Sequence, residues 1–447
     1  MEQIRSLTKK RNAVGTVTTV GMSANWSQLD SDPQENIQVK SLLDIDISPL
    51  REGINPENCI KMRQNWAALQ IGAHGAILAT DPLRSFPLYW TRTEEGVAIS
   101  DSCFALAKKI GARPNRKVTN YMRYTGFCPG EETFFAGISC LSPGTILYLD
   151  SAGKEVSRVF YDDNSFSIEP AITNELSFRR ELENNLDLVM NRMLASIGFS
   201  RILLPLSGGL DSRLLATWLV NHGVTNVLAF SYGESASQPE AKISREVASR
   251  LGIPFEFVEL SSQRVHSYWQ REETAEMLRY ASSGNALPHI QDFVALKTLL
   301  DKRKVSPGDV LLPGHTVVGN MHNLELLEQT NTTFKDITHA VIRNHMGLRY
   351  GRPPQSIQNQ MRDDLLTLAN HLDFDGTLRS TQRLVEAFNL HERQTKYINN
   401  SMKIYEYLGL RWALPMLDRE FAACWFSGAV ELTASREFYK TLDKCTL

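Results

Sequence analysis

The stretch "LLPLSGGLDSRLLATWLV", Leu203 to Val220, joins an apolar run to two adjacent glycines and then to an apolar pattern of helical spacing. It predicts a buried β-strand, a turn at Gly208 and Gly209, and a helix from Ser212. Backbone N–H groups at such a turn can face an anion, because no Cβ covers them and the helix dipole is positive there. The stretch therefore predicts a phosphate site.

The turn differs from the two commonest phosphate loops, since neither G-x-x-x-x-G-K-[ST] nor G-x-G-x-x-G is present. Instead, Asp211 offers a carboxylate that suits Mg²⁺, and Ser212 offers a hydroxyl to a phosphate oxygen. A glycine turn with Asp211 as an ordinary helix cap is the alternative interpretation. The predicted phosphate-binding residues are Leu206, Ser207, Gly208, Gly209, Asp211 and Ser212.

Around this turn the sequence alternates apolar strands with helices. The strands are "RILLPLS", "NVLAFSYG", "FEFVEL" and later "DVLLPG". Near-continuous apolar strands separated by helices predict an α/β domain with a parallel sheet and helices on both faces. A long amphipathic stretch from Glu175 to about Ile197 precedes the first of these strands.

From about residue 10 to residue 165 the pattern is short and strand-like, with turns at "RTEEG" and "DSAGK". Two segments with helical spacing, Cys103–Ile110 and Val118–Thr125, interrupt the strands. This predicts an α+β antiparallel sandwich. We therefore predict two domains, residues 1–165 and residues 175–447, with a polar linker between them.

Composition limits the classes of function. The 447 residues include 48 basic and 50 acidic side chains, a formal charge of -2, with no Lys/Arg-rich block. Nucleic acid and membrane surfaces are therefore not expected as partners, and a small-molecule or peptide substrate is. No apolar run reaches the length of a membrane span, and the start has no signal-peptide core, so we expect a cytoplasmic protein, compatible with a homodimer. The scattered cysteines suggest buried, reduced thiols.

Three groups of motifs resemble asparagine synthetases. The segment from Ser207 to Ser212 looks like the pyrophosphate loop of ATP pyrophosphatases. "LATDPLRSFPLYW" and "GFCPGEETFFAGISCLSPGTILYL" resemble the amidotransferase-like N-terminal domain, and "LRWALPMLDREF" resembles a C-terminal motif of the family. The resemblance implies ATP and Mg²⁺ as cofactors, with adenine near Ser231 and Gly314 and the metal on Asp211.

One departure concerns the nitrogen source. Glutamine-hydrolysing asparagine synthetases have a nucleophilic Cys after the initiator Met, where this sequence has Glu2. Cys59 is too deep in the domain to replace it. Relatives without that Cys include β-lactam synthetases and lasso-peptide cyclases, which use an amine on the substrate. We therefore expect ammonia or an amine as the donor.

A second departure concerns the metal. The family has an acidic loop after a late strand, whereas "DVLLPG" is followed here by His315 and by no acid between Asp309 and Glu325. Asn320 with water and the triphosphate, or Asp292, is expected to complete the coordination around Asp211, unless efficient adenylation has been lost. His315 is a candidate hydrogen-bonding partner of nucleotide or substrate, or a structural histidine.

A predicted helix near residues 388–408 carries the candidate catalytic residues Glu392, Arg393 and Lys396. Either Glu392 and Lys396 form a helix-stabilising surface pair, or Glu392 orients the attacking amine while a cation counters pyrophosphate charge. Phe388, Ile398, Met402, Tyr405 and Leu408 fall at helical spacing and are expected to face the core. Because relatives use a Lys from a C-terminal loop, Lys440 and Lys444 are further candidates.

These observations predict an ATP-dependent ligase that adenylates a carboxylate, releases pyrophosphate and transfers the acyl group to ammonia or an amine. Two alternatives stay open: an intramolecular amide-forming cyclase, and a nucleotide-binding scaffold without catalysis. A tRNA-modifying thiolase is disfavoured by the neutral charge and the absence of paired cysteines.

Overall fold

The computed structural model describes residues 15–29, 36–162, 171–319, 324–327 and 332–444. Glu2, Asn320, Cys445 and most of the predicted linker lie outside these ranges, as does the Lys444 side chain. Among the described helices, none combines the length and apolar character that crossing a lipid bilayer requires.

Residues 16–160 form two sheets. The six-stranded antiparallel sheet has the order β10-β9-β5-β4-β3-β2, and the four-stranded sheet has the order β1-β7-β6-β8. β1 pairs with β7 in parallel, so the smaller sheet is mixed. The strands are β1 Thr16–Thr19, β2 Trp26–Leu29, β3 Asn36–Lys40, β4 Ala67–Gly72, β5 Gly75–Thr80, β6 Tyr89–Thr93, β7 Gly96–Ser100, β8 Ser139–Cys140, β9 Thr145–Asp150 and β10 Glu155–Phe160.

Residues 202–412 contain a five-stranded parallel sheet with the order β13-β12-β11-β14-β15. Helices flank it, and the predicted α/β class is confirmed. Its strands are β11 Ile202–Pro205, β12 Val227–Gly233, β13 Phe255–Glu259, β14 Val310–Leu311 and β15 Arg411–Trp412.

The helices have the following bounds: α1 Pro56–Cys59, α2 Cys103–Ile110, α3 Arg116–Thr125, α4 Glu175–Ile197, α5 Leu210–Asn221, α6 Pro239–Arg250, α7 Ser262–Trp269, α8 Glu273–Ala281, α9 Phe293–Asp301, α10 Leu324–Leu327, α11 Phe334–His345, α12 Gln355–His371, α13 Leu378–Asn389, α14 Met402–Tyr407, α15 Arg419–Ser427, α16 Val430–Thr433 and α17 Glu437–Lys444. Short 3₁₀ helices span Ser48–Glu52, Asn399–Ser401 and Pro415–Leu417, and a π-helix spans Leu390–Ile398.

Helix α4 shows why local sequence specifies its bounds. The Asn174 side chain accepts a hydrogen bond from the Ser177 N–H at the N-terminus, and Gly198 ends the helix. Its apolar face is buried and packs against α15. The amphipathic pattern predicted these bounds because cap, stripe and terminator are all encoded within the segment.

The segment from 388 to 408 departs from the single helix that its spacing predicts. Phe388, Met402 and Tyr405 are buried as expected, but Ile398 and Leu408 are only half-buried. The segment contains the π-helix and the 3₁₀ turn, and each changes the number of residues per turn. A constant 3.6-residue spacing therefore misplaces the side chains in this segment.

The β-rich residues and the α/β residues are in direct contact. Backbone N–H groups of Cys128, Phe134 and Leu287 donate across the contact at 2.8, 2.8 and 2.7 Å, to carbonyls of residues 285, 284 and 126. Arg419 adds an ion pair with the buried Asp162 at 2.5 Å. This contact determines the surroundings of several site residues described below.

Candidate functional site

The loop after β11 lies where the strand order of the parallel sheet reverses direction. β12 and β13 lie on one side of β11, while β14 and β15 lie on the other. Loops that follow β11 and β14 diverge at such a point and leave a crevice at the carboxyl ends of the strands, where open α/β sheets bind ligands. Ser207 to Leu210 and Leu312 to Gly319 form these two loops.

Helix α5 begins directly after the two glycines. Gly209 is its N-cap residue and makes no side-chain capping bond. The Ser207 N–H donates to Ser212 Oγ at 3.1 Å, and the Gly209 N–H donates to Ser207 Oγ at 3.1 Å. Asp211 lies in the first turn, so it is not the capping residue. The two hydroxyls therefore accept hydrogen bonds from the amides that would otherwise donate to a phosphate oxygen.

The backbone conformation does not require glycine at this turn. Gly208 and Gly209 are absent from the positive-φ residues of the described chain, and Gly209 has φ -80°. A Cβ added to Gly208 would meet its nearest atom, Glu240 Cγ, at 3.4 Å, which is ordinary contact. A Cβ on Gly314 would lie only 2.9 Å from the Ser212 nitrogen. Glycine at 314 therefore keeps the first turn of α5 uncovered.

Asp211, the predicted metal ligand, forms an ion pair with Arg436. Burial raises the pKa of the Asp211 carboxyl, and Arg436 opposes that rise. Gly319 allows the arginine to pack here, because a Cβ at that position would lie 2.6 Å from Arg436 Cγ. Sequence reasoning missed Arg436. The one signal for such a residue was the C-terminal Lys of the family, and that signal led to Lys440 and Lys444 instead.

Lys440 has a different environment. Its ammonium contacts Glu437 Oε1 at 2.5 Å within α17, and the side chain is about half exposed. Arg436 precedes this helix by one residue and is the cation that contacts Asp211. A catalytic role for Lys440 remains a prediction. The Lys444 side chain is outside the part of the chain that the structure describes.

No group of three or more His, Cys, Asp or Glu side chains within the described ranges is arranged to hold a metal ion. Asp292, one candidate to complete the coordination, instead accepts hydrogen bonds from the hydroxyls of Tyr232 and Tyr405. At the loop, the carboxylate of Asp211 is the predicted ligand, and a guanidinium already contacts it. These residues do not fit a metal held by protein ligands alone.

His315 and His289 lie near Asp292, beside the end of β14. Burial lowers the pKa of His315 to about 4, although the Asp292 charge opposes this. Burial also lowers the pKa of His289, to which the nearby Arg393 contributes. Both imidazoles are therefore neutral at pH 7, so they can donate or accept hydrogen bonds but carry no charge.

Glu392 and Lys396 form the predicted i,i+4 pair, with Lys396 Nζ 2.6 Å from Glu392 Oε2. The pair is buried rather than on a surface, because Lys396 Nζ also donates to the carbonyls of Gly130 and Cys128 at 2.8 and 3.3 Å. Burial raises the pKa of Glu392 to about 7, against the influence of Lys396. The contact with the β-rich residues creates this environment.

Arg393 and Ser231, the other two predicted residues, lie in different surroundings. Arg393 is half-buried within the π-helix, close enough to His289 to affect it. Ser231 is buried inside β12, which continues to Gly233 as the sequence predicts. The side chain at the strand end is Tyr232.

Residues 191–279 match the asparagine synthase family. The family match is limited to this segment of the chain. The matched segment runs from α4 to α8 and includes β11, the glycine loop, α5, β12 and β13. The resemblance inferred from the loop motif is thereby confirmed for the part of the chain that contains it.

The chain also has similarity to a curated protein and to solved structures. It is 25% identical over 122 residues to 7-cyano-7-deazaguanine synthase from Sulfolobus acidocaldarius, which covers 27% of this chain and 26% of that protein. It therefore spans about a quarter of that relative's length.

Two synthetase structures are similar to parts of this chain. The NH3-dependent NAD synthetase from Campylobacter jejuni subsp. jejuni NCTC 11168 is 16% identical with a TM-score of 0.23, over 45% of this chain and 78% of that one. NMN synthetase from Francisella tularensis is 13% identical with a TM-score of 0.22, over 50% and 97%. These scores are low, and the fold assignment rests on the strand order.

Proposed function

We propose that the protein is an ATP-dependent amide-forming ligase. It adenylates a substrate carboxylate, releases pyrophosphate and transfers the acyl group to ammonia or an amine. The observation that carries this proposal is the glycine pair at the switch point of the sheet. Neither glycine is required by a positive φ, and Gly208 has room for a Cβ, so space for a ligand explains them best.

The loop and the residues around it supply the first step. Rotation of the Ser207 and Ser212 hydroxyls frees the amides of Ser207 and Gly209 to donate to the leaving pyrophosphate. The helix dipole adds to the attraction. Arg436 places a fixed positive charge at the same helix terminus, which stabilises the negative charge that develops on the leaving group.

Mg²⁺ enters this proposal as part of the substrate, MgATP. Mg²⁺ sites commonly combine one or two carboxylates with substrate phosphates and water. Asp211 is the carboxylate that this loop offers, and its role is otherwise to hold Arg436 at the helix terminus. The metal neutralises phosphate charge when it is bound.

The second step needs a base and a dry environment. Glu392 is buried with a pKa raised to about 7, so near neutral pH it can take a proton from an attacking amine. Lys396 positions it, since the lysine is fixed by two carbonyls of the β-rich residues. Burial of this pair also excludes water, which would otherwise hydrolyse the acyl-adenylate.

One observation favours a second candidate function. The ion pair between Asp211 and Arg436 occupies the carboxylate that would face the metal of MgATP. A scaffold that binds nucleotide without catalysis would tolerate such a pair permanently. Exchange of labelled pyrophosphate into ATP, in the presence of a carboxylate substrate, separates the two candidates because only a ligase catalyses it.

The test is AMP release from ATP with a panel of small carboxylates, compared between wild type and Asp211→Asn. We expect the substitution to lower the rate by at least about a hundredfold, because it removes the carboxylate that holds the positive charge of Arg436 beside the pyrophosphate. The matched control is Asp363→Asn, a surface residue that pairs with its neighbour Arg362. Wild-type rates in Asp211→Asn would contradict the assignment. Product mass distinguishes the two possible products. One is an amide formed with ammonia, and the other is a ring formed with loss of water.

A further inference from the structure

A cavity of about 80 Å³ opens at the contact between the β-rich residues and the α/β residues. We call it the Lys403 cavity. About 10 to 15 Å³ is enough for one water molecule, so this cavity has room for several waters or for a molecule of roughly five to eight non-hydrogen atoms. Arg279 and Tyr280 of α8 line it and are exposed, so a small molecule can enter from solvent there.

Two buried ion pairs line the cavity. Among the β-rich residues, Lys40 Nζ lies 2.7 Å from Asp101 Oδ2. In α14, Lys403 Nζ lies 2.9 Å from Glu406 Oε1. The four side chains are between 2% and 11% exposed. Taking charges out of water is costly, and a cavity that combines apolar walls with a few placed polar groups is typical of a ligand site.

The two ammonium groups lie near the same aromatic ring. Lys40 Nζ is 5.6 Å and Lys403 Nζ is 5.5 Å from the centroid of Phe86. Burial lowers the pKa of Lys403, Glu406 opposes this, and the charge of Lys40 lowers the pKa further. The two like charges therefore repel each other, and an anion close to both would be attracted to both.

In the first pair, the carboxylate already has several donors, whereas the ammonium lacks one acceptor. Asp101 Oδ2 accepts from Ser23 Oγ at 2.5 Å and from Trp26 Nε1 at 3.0 Å, besides the lysine. Lys40 Nζ donates to Asp101 and to Ser23 Oγ, at 2.7 and 2.5 Å. An ammonium has three hydrogens, so one is left without an acceptor among the described residues.

The second pair has the same pattern. Both oxygens of Glu406 accept from Lys403 Nζ, at 2.9 and 3.0 Å. Trp412 Nε1 donates to one of these oxygens at 3.2 Å, and the Tyr280 hydroxyl donates to the other at 2.9 Å. The ammonium again keeps one hydrogen that no residue of the described ranges accepts.

Arg279 adds a third cation at the exposed end of the cavity. Its guanidinium makes no ion pair or hydrogen bond with another residue in the part of the chain that the structure describes. Three cations and two carboxylates thus line the cavity, which gives a net positive charge. The unfilled hydrogen-bonding capacity of these charged groups lies mainly on the donor side. The cavity therefore suits an anion rather than an amine or a metal ion.

We propose that the Lys403 cavity binds a short-chain carboxylate, whose oxygens accept hydrogen bonds from Lys40, Lys403 and Arg279. Hydrogen bonds between charged donors and a carboxylate are stronger than those between neutral groups. Phe86 and Phe104 also line the cavity and offer apolar contact to the hydrocarbon part of such a ligand. The proposal does not depend on the ligase function, because the lining includes no residue of the glycine loop or of the π-helix.

The test is titration of the full chain with propionate and with lactate, by calorimetry at constant ionic strength and without ATP. Both probes fall within the size range of the cavity. Inorganic phosphate, which is of similar size but has no hydrocarbon part, is the comparison. We expect the carboxylates to bind, to raise the unfolding temperature and to bind more tightly than phosphate, because only they can use the apolar walls.

Two variants assign the binding to the cavity. Arg279→Gln should weaken carboxylate affinity about three- to tenfold, because this cation is exposed and water screens it. The double variant Lys403→Met with Glu406→Gln should weaken it roughly ten- to a hundredfold, the loss expected for a charge-assisted hydrogen bond. Since both partners of the buried pair are replaced, no carboxylate is left buried and unpaired, and the fold should survive.

The matched control is Arg250→Gln, which changes an exposed arginine of α6 that pairs with Glu246 and should keep wild-type affinity. Wild-type affinity in both cavity variants would overturn the proposal, and so would failure of both carboxylates to bind. Phosphate that binds as tightly as the carboxylates would indicate an adventitious ion only and overturn it too. If the double variant does not fold, Arg279→Glu decides, since wild-type affinity there overturns the proposal and weakened affinity supports it. AMP release is not measured, so these outcomes are independent of the ligase proposal.

Discussion

At the residue scale, the site depends on charged side chains that burial makes unusual. Lys396 and Glu392 are paired beneath the β-rich residues, and Asp211 is paired with Arg436. Buried charges of this kind are costly unless hydrogen bonds and counter-charges offset them. Both pairs supply such counter-charges, and two backbone carbonyls add hydrogen bonds to Lys396.

Glu392 gives a pH-dependent prediction. Burial raises its pKa from 4.5 to about 7, so the folded chain retains this proton at pH values where the unfolded chain has lost it. The stabilisation from protonated Glu392 is thus complete below pH 4.5 and is lost as the pH rises to about 7. In Glu392→Gln, which mimics the protonated form, we expect this part of the pH dependence to disappear.

Urea unfolding of wild type and Glu392→Gln across this pH range measures the effect. Relative to wild type, the free energy of unfolding of the variant should increase by on the order of 3 kcal/mol between pH 4.5 and about pH 7. Glu437→Gln, which changes an exposed carboxylate in α17, is the control and should follow the wild-type profile. Parallel curves for wild type and Glu392→Gln would contradict the assigned shift.

At the element scale, the segment from α13 to α14 places site residues in a way that a regular helix cannot. The π-helix of nine residues widens the backbone just where Glu392, Arg393 and Lys396 occur. Such insertions are frequent at functional sites, because they turn side chains away from the helical stripe. The strand–glycine–helix element at 202–221 has regular backbone geometry instead, since neither of its two glycines has a positive φ.

That element predicts a selective loss of ATP binding in Gly209→Val. The backbone at φ -80° accepts any residue, and the added Cβ would meet only Ser207 Oγ, at 3.1 Å. The fold should therefore survive, while the branched side chain fills the space for phosphate. ATP affinity is measured by calorimetry and the fold by thermal unfolding. Gly72→Val, at a position with nothing within 4 Å of the added Cβ, is the control. Undiminished ATP binding would favour the ordinary turn.

At the scale of the whole molecule, the β-rich residues serve the site as structure. Their carbonyls fix Lys396. The described cysteines offer no reactive thiolate among these residues. Cys59 is fully buried, and burial raises the pKa of the Cys103 thiol to about 12.

We therefore predict that glutamine does not donate nitrogen to the isolated protein. If ammonia is the donor, amide formation should rise with pH, because only the unprotonated form has a lone pair to attack with. Product amide and glutamate are measured side by side with glutamine or ammonium as the donor. Glutamate release that matches AMP release, in a preparation free of contaminating glutaminase, would contradict this prediction. The control is Cys59→Ser, which should change neither rate.

The sequence alone determined the elements whose signals are local. The apolar strands and the glycine turn predicted the parallel sheet and the loop, and Asn174 with Gly198 bounded α4. β2 and β3 escaped prediction because each has only two apolar residues, Trp26 and Leu29 in β2 and Ile37 and Val39 in β3, too few to establish a period. Strand, cap and stop signals lie within a few neighbouring residues, so a short window of sequence is enough to specify these features.

Tertiary structure alone decided the partners of the site residues. No spacing indicates that Arg436 contacts Asp211, or that Lys396 is held by carbonyls more than two hundred residues away. These facts arise from packing the β-rich residues against the α/β sheet. Burial, and with it the shift of a pKa, is a property of the assembled surroundings, which a single sequence window does not contain.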